Sequence, residues 1–278
     1  MGRLMGFLQI IRPLNCLMMG FAVIVGASLG SSLNLTLNIL LGFVTSFALT
    51  ATSMVINDFF DRKIDAINEP NRPIPRGDVT PREALIFAII LSITGLSSAL
   101  ITNLPSIIMA LIALIVSLTY ITKGKATGLP GNFLVSATVV IPFIYGGLTV
   151  GQLETSVLLF VAIAFFSNTA REITKGIVDV EGDKSHKIRT LAVKHGERFA
   201  AIVATVFLLL AVCFSPLPWI WGQVSDLFIL PVIITDLGLI ASSIMLLKNY
   251  SRKNAKKIKN LILVWFVTGL LAFIIGTI

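Results

Sequence analysis

The chain has 278 residues, 55% hydrophobic and 13% charged, with a formal net charge of +8. Soluble domains carry about twice that charged fraction, which excludes an ordinary globular protein. Apolar runs of about 18–22 residues recur along the chain, each long enough to cross roughly 30 Å of hydrocarbon as a helix, and predict an all-α, polytopic membrane protein.

The opening Met-Gly-Arg-Leu-Met-Gly lacks the Ser or Thr of a myristoylation signal, and the first apolar run reads as a span, not as a removed signal peptide. Breaks at charges, Pro/Gly clusters and polar runs then predict nine spans, at 13–33, 36–56, 83–102, 105–122, 131–150, 154–171, 198–216, 227–247 and 258–278. All 22 Lys and Arg fall in alternate segments: before or at the start of span 1, then between spans 2 and 3, 4 and 5, 6 and 7, and 8 and 9. The positive-inside rule therefore places the N-terminus and those loops in the cytoplasm and the C-terminus outside. The same asymmetry accounts for the net charge through topology and attraction to anionic headgroups, without nucleic acid.

Cys16 and Cys213 lie in apolar stretches without CxxC spacing, and His186 and His195 share one basic loop, too few ligands for a zinc or haem site. A metal here has to be held by oxygen. Eleven of the 14 carboxylates sit in two loops expected to be cytoplasmic, after spans 2 and 6, a four-helix spacing that suits an internal duplication.

The first cluster, NDFFDRKID, sets Asn57, Asp61 and Asp65 four residues apart. If the helix continues past the membrane surface, its period puts all three on one face, about 6 Å of rise apart. The second, REITKGIVDVEGD, repeats the step with Arg171, Lys175, Asp179 and Asp183. Polar loops carry acids for solvation alone, but two such ladders in a chain with few other charges point further. Facing each other, they would hold one or two Mg²⁺, which accept carboxylate and amide oxygen and keep positions open for phosphate. The expected ligand is a diphosphate–Mg²⁺ complex. Arg12, Arg72, Arg76, Lys123, Lys125, Arg171 and Lys175 lie on the same side and suit the remaining phosphate oxygens, although topology alone would also place them there. NEPNRPIPRG, with three prolines, reads as a stiff non-helical loop able to cap a cavity.

At these residues the sequence resembles the UbiA superfamily of intramembrane prenyltransferases. The matching features are Arg12-Pro13 with Asn15, NDFFDRKIDAINEPNRPIPRG at 57–77, Tyr120 with Lys123, Lys125 and Gly131-Asn132, and REITKGIVDVEGDK at 171–184. The resemblance is strongest to the archaeal branch that makes digeranylgeranylglyceryl phosphate. It implies one transmembrane domain over 1–278, a nine-helix bundle around a central cavity capped from the cytoplasm by loops at 57–82 and 171–197. It also implies Mg²⁺ and prenyl diphosphate bound by Asn57, Asp61 and Asp65 of the first motif and Asp179 and Asp183 of the second. Arg12, Asn15, Arg72, Tyr120, Lys123, Lys125, Arg171 and Lys175 would bind substrate. Gly176 departs from the pattern, standing where many relatives carry another Asp.

The reaction implied is transfer of a geranylgeranyl group from its diphosphate to the hydroxyl of geranylgeranylglyceryl phosphate, with a lipid-like acceptor drawn from the bilayer and no obligatory protein partner. Asp65 or a released phosphate oxygen would take the proton. Aromatic prenyltransferases of the same superfamily share the metal site and differ in the acceptor, hydroxybenzoate or naphthoate. A CDP-alcohol phosphotransferase would need a DGxxAR segment, and the sequence has none. A cation-coupled transporter would need carboxylates near the midplane, where only Asp236 qualifies.

Overall fold

Pro13 has no backbone N–H to donate and disfavours helical geometry in the residue before it. In the computed structural model of the chain, which describes residues 2–30, 36–151, 153–185 and 188–277, the N-terminal helix accordingly breaks there. α1 (Arg3–Ile11) and α2 (Pro13–Gly30) meet at a 44° bend, with Arg12 between them in left-handed backbone at φ 52°. Positions 31–33 of the first expected span, and His186 and Lys187, lie outside the described residues.

The chain continues through α3 (Leu37–Asn68), α4 (Pro81–Leu100), α5 (Leu104–Thr122), α6 (Leu129–Thr149), α7 (Thr155–Val178), α8 (Val180–Ser185) and α9 (Leu191–His195). It ends with α10 (Glu197–Phe214), α11 (Leu217–Ile220), α12 (Ile229–Lys248) and α13 (Arg252–Gly276). No strand occurs among the described residues. Among the described residues, eight helices are each long and apolar enough to cross a membrane, and the bent α1–α2 pair makes a ninth when taken as one span. Ile86, Ile89, Ile90 and Ile93 of α4, and Leu230, Ile233, Ile234 and Leu237 of α12, are exposed, as side chains facing lipid must be. The two elements that run well past their expected C-terminal ends are α3, which reaches residue 68, and α7, which reaches 178. These overruns carry the acidic ladders.

The chain divides into two compact units, Met1–Ala27, Leu33–Thr122 and Ile141–Gln152 in the first and Ser28–Ser32, Lys123–Val140 and Leu153–Ile278 in the second. Lipid is as apolar as leucine, so helices in a membrane associate through close backbone approach and hydroxyl hydrogen bonds. The first unit uses both. Gly146 of α6 packs on the α2 backbone so closely that a Cβ there would stand 2.8 Å from Ala27 N and 2.9 Å from the Val23 carbonyl carbon. Ser46 Oγ donates to the Met19 carbonyl (2.8 Å) and Thr45 Oγ1 to the Gly95 carbonyl (3.2 Å). α4 starts on a capping box: Thr80 Oγ1 accepts from Glu83 N–H (3.2 Å) and Thr80 N–H donates to Glu83 Oε2 (2.8 Å), with Pro81 in the first turn.

The second unit has an aliphatic core: Ile173 and Ile177 of α7, an Ala200, Ala204, Leu208, Ala211 stripe on α10, Leu246 of α12, and Ile258 and Ile262 of α13. Polar bonds pin it at intervals. Thr169 Oγ1 (2.8 Å) and Asn168 Nδ2 (3.2 Å) both donate to Ser136 Oγ, which itself donates to the Asn132 carbonyl (2.9 Å). Trp265 Nε1 donates to Ser242 Oγ at 3.1 Å.

Candidate functional site

In the first unit the helical extension of α3 delivers the first ladder as its spacing requires. Packing then divides it into two faces. Asn57 and Asp61 are half-buried, and Asn57 Nδ2 donates to Asp61 Oδ2 at 3.0 Å. Asp58 and Asp65, two turns apart, are buried, with side chains only 4% and 8% exposed. Arg12 Nη2 donates to Asp58 Oδ1 at 2.8 Å, and Arg72 Nη1 donates to Asp65 Oδ2 at 2.7 Å and to Asp58 Oδ1 at 3.3 Å.

The Pro-rich stretch is non-helical, as its prolines require, and folds back so that Arg72 reaches α3. Arg76 instead pairs with Asp78 and donates to Gln9 Oε1 at 3.0 Å. Asn15 lies exposed in the first turn of α2, and Tyr120 is half-buried in the last turn of α5. Arg12 is thus tied to the first motif, although it is 46 residues from Asp58 in sequence.

In the second unit α7 ends at Val178, Asp179 caps it, and α8 begins at Val180. The four-residue step survives the break, because Asp179 N–H donates to the Lys175 carbonyl (3.0 Å) and Asp183 N–H to the Asp179 carbonyl (2.8 Å). Glu172, 9% exposed, accepts from Arg171 Nη1 at 2.7 Å and faces Lys175 Nζ at 3.6 Å.

Lys123 and Lys125 belong to a short turn that packs on the segment after α8. Arg189 N–H donates to the Ala126 carbonyl at 3.4 Å, and Gly128, at φ 72°, passes so near the Arg189 carbonyl oxygen that a Cβ would lie 2.5 Å from it. At Gly176 a Cβ would meet Thr190 at ordinary contact distances of 3.5–3.7 Å. The expected Asp position therefore has room for a side chain.

Within this unit the Arg189–Thr190 segment lies against the lysine turn on one side and against α7 at Gly176 on the other. Asp236 lies beside a cavity of about 30 Å³ lined by Phe160, Ile163, Leu239 and Trp265, and its Oδ2 accepts from Ser215 Oγ at 2.6 Å. Ser215 is the C-cap residue of α10, so this bond ties α12 to the end of a neighbouring helix.

Sequence reasoning missed Asp58 and Glu172 as ion-pair centres. The available signal was the seven-residue offset of Asp58 from Asp65, which puts both on one helical stripe, and the adjacency of Glu172 to Arg171 and Lys175. Among the described residues, no group of three or more His, Cys, Asp or Glu side chains is placed to hold a metal ion by itself. The donors present in each unit are carboxylate and amide oxygens. They fit Mg²⁺, which usually takes one or two carboxylates and completes its shell with substrate phosphates and water.

The profile of the UbiA prenyltransferase family matches residues 17–274. The digeranylgeranylglyceryl phosphate synthase of Natronomonas pharaonis is 36% identical over 245 residues, covering 87% of this chain and 88% of its own. That of Korarchaeum cryptofilum is 34% identical over 276 residues, covering 99% and 98%. A solved structure described as giving insights into digeranylgeranylglyceryl phosphate synthase in membranes superposes with a TM-score of 0.89 at 33% identity, covering 99% of this chain and 98% of its own. A UbiA homologue from Archaeoglobus fulgidus, solved with GPP and Mg²⁺, shares the fold with a TM-score of 0.71 at 19% identity, covering 96% and 99%.

Proposed function

The chain belongs to the UbiA prenyltransferase family and is a multi-pass membrane prenyltransferase, and on that premise we propose that it transfers a geranylgeranyl group from geranylgeranyl diphosphate to the hydroxyl of geranylgeranylglyceryl phosphate, releasing diphosphate. The reading is supported by relatives of that printed activity across nearly the whole chain. The observation that carries it is the meeting of carboxylates and guanidinium groups on the α3 extension, where Asp58 and Asp65 hold Arg12 and Arg72 beside Asn57 and Asp61.

Asn57, Asp61, Asp65, Asp179 and Asp183 would hold Mg²⁺. When bound, Mg²⁺ supplies charge neutralisation for the diphosphate, which carboxylates alone would repel. Arg12, Arg72, Lys123, Lys125, Arg171 and Lys175 donate to phosphate oxygens and stabilise the charge that grows on the leaving group. C1 of the prenyl chain then becomes electron-poor enough for the glycerol oxygen to attack. Asn15 and Tyr120 contribute to substrate binding. The apolar surroundings exclude water, which would otherwise capture the same carbon. In this reading 1–278 works as one transmembrane domain, with 57–82 and 171–197 as its cap segments. The N-terminus and both motifs face the cytoplasm and the C-terminus faces out.

The test uses purified protein in detergent with labelled geranylgeranyl diphosphate and geranylgeranylglyceryl phosphate. Excess EDTA abolishes transfer of label to lipid and added Mg²⁺ restores it. Full turnover in excess chelator overturns the two-motif reading.

A further inference from the structure

We propose that Asp58 is a positioning residue, a buried counter-ion that sets the orientation of Arg12 and Arg72 toward phosphate and binds no metal. The inference rests on the diphosphate chemistry proposed above. It starts from burial: a carboxylate side chain 4% exposed has lost its water and is stable only if fully partnered. Asp58 Oδ1 has two cationic donors, Arg12 Nη2 at 2.8 Å and Arg72 Nη1 at 3.3 Å. They come from separate parts of the chain, the α1–α2 break and the Pro-rich turn.

Both arginine side chains are more exposed than the acid they share, at 36% and 31%, so the carboxylate is the buried member of the cluster. A guanidinium has five N–H donors in a fixed plane. Arg12 directs one toward Asp58 and one toward Met54 Sδ, and Arg72 uses Nη1 for both Asp58 and Asp65. Each keeps N–H groups for another acceptor, in a plane that Asp58 sets.

Asp58 also lies off the Asn57–Asp61 face, the half-buried face suited to an incoming cation. It is also off the four-residue step of Asn57, Asp61 and Asp65, and its Oδ1 already has two cationic donors, so the structure assigns it to the arginines. The second unit repeats the arrangement with Glu172, 9% exposed, between Arg171 and Lys175.

The experiment compares full-length Asp58→Asn, Arg12→Gln, the Asp58→Asn/Arg12→Gln double variant and Asp61→Asn, purified in detergent. It measures KM for geranylgeranyl diphosphate and for geranylgeranylglyceryl phosphate, the half-saturating Mg²⁺ concentration, and the thermal midpoint. Asp58→Asn raises KM for at least one phosphate-bearing substrate by about tenfold, the scale of one lost charge-assisted bond. It leaves half-saturating Mg²⁺ within about twofold, whereas Asp61→Asn shifts it on the order of tenfold or more. The double variant loses less than the product of the two single effects, because both changes remove the Arg12–Asp58 interaction, and what it loses beyond Arg12→Gln is the hold on Arg72.

A Mg²⁺ shift at Asp58→Asn matching that at Asp61→Asn overturns the proposal, as do effects of Asp58→Asn and Arg12→Gln that multiply. If Asp58→Asn is too unstable for kinetics, the thermal midpoint decides. Removing the stranded Arg12 charge in the double variant recovers stability under this proposal, and failure to recover contradicts it. Wild-type protein that does not prenylate the phosphorylated acceptor defeats the functional reading, while the stability arm still decides the role of Asp58.

Discussion

Adding one methyl group at Gly146 tests the packing of the first unit. The built Cβ would lie 2.8 Å from Ala27 N and 2.9 Å from the Val23 carbonyl carbon, both backbone atoms of α2. The Val23 carbonyl oxygen stands closer still, so the two helices would have to part by about 1 Å or more, enough to forfeit up to about half of the dispersion energy along that line. Overpacking costs about 1–3 kcal/mol, and with helix backbone on the receiving side Gly146→Ala belongs at the upper end, about 3 kcal/mol.

Gly176→Ala is the control. Its Cβ would meet Thr190 at 3.5–3.7 Å, and replacing a helix-interior glycine gains up to about 1 kcal/mol. The assay is the thermal midpoint of each purified variant in one detergent at one scan rate. Gly146→Ala should melt on the order of 5–10 °C below wild type, and Gly176→Ala at or above it. Equal midpoints for the two variants would refute the close-approach argument.

Asp61→Ala and Asp183→Ala should each lower kcat by on the order of 10² or more. Glu181→Ala, whose side chain is 86% exposed and 4.0 Å from Arg252, should be mild, and equal losses at all three would show the segment acting in folding instead. A cysteine placed at Asn71 should react only with reagent on the cytoplasmic side and one at Gln223 only with reagent outside; labelling of both from one side contradicts the nine-span topology. Thr80→Ala removes the capping hydroxyl of α4 and should destabilise by about 1 kcal/mol, read as a lower thermal midpoint with substrate KM unchanged.

How far the sequence carries depends on the range of the interaction. The spans were legible because hydropathy and charge alternation act locally, and α4, α5, α6 and α12 begin and end within a few residues of expectation. The extension of α3 was legible too, since the 57, 61, 65 spacing is informative only on a helix. The α1–α2 bend was written in Arg12-Pro13, but a span drawn from residue 13 ignores an amphipathic helix ahead of it.

Partner choice was not legible. Arg12 looked remote from both acidic motifs, yet it meets Asp58, because that contact needs three separated segments to converge. Gly146 looked like any membrane glycine until the α2 backbone stood against it.

The central claim is the acceptor, and product mass tests it most directly. Purified protein with Mg²⁺ and geranylgeranyl diphosphate is offered geranylgeranylglyceryl phosphate, a hydroxybenzoate and a naphthoate together, and the lipid extract is analysed by mass spectrometry. The account predicts digeranylgeranylglyceryl phosphate as the product, with both aromatic acids unchanged. A prenylated aromatic acid, with the glycerol phosphate left intact, would contradict it.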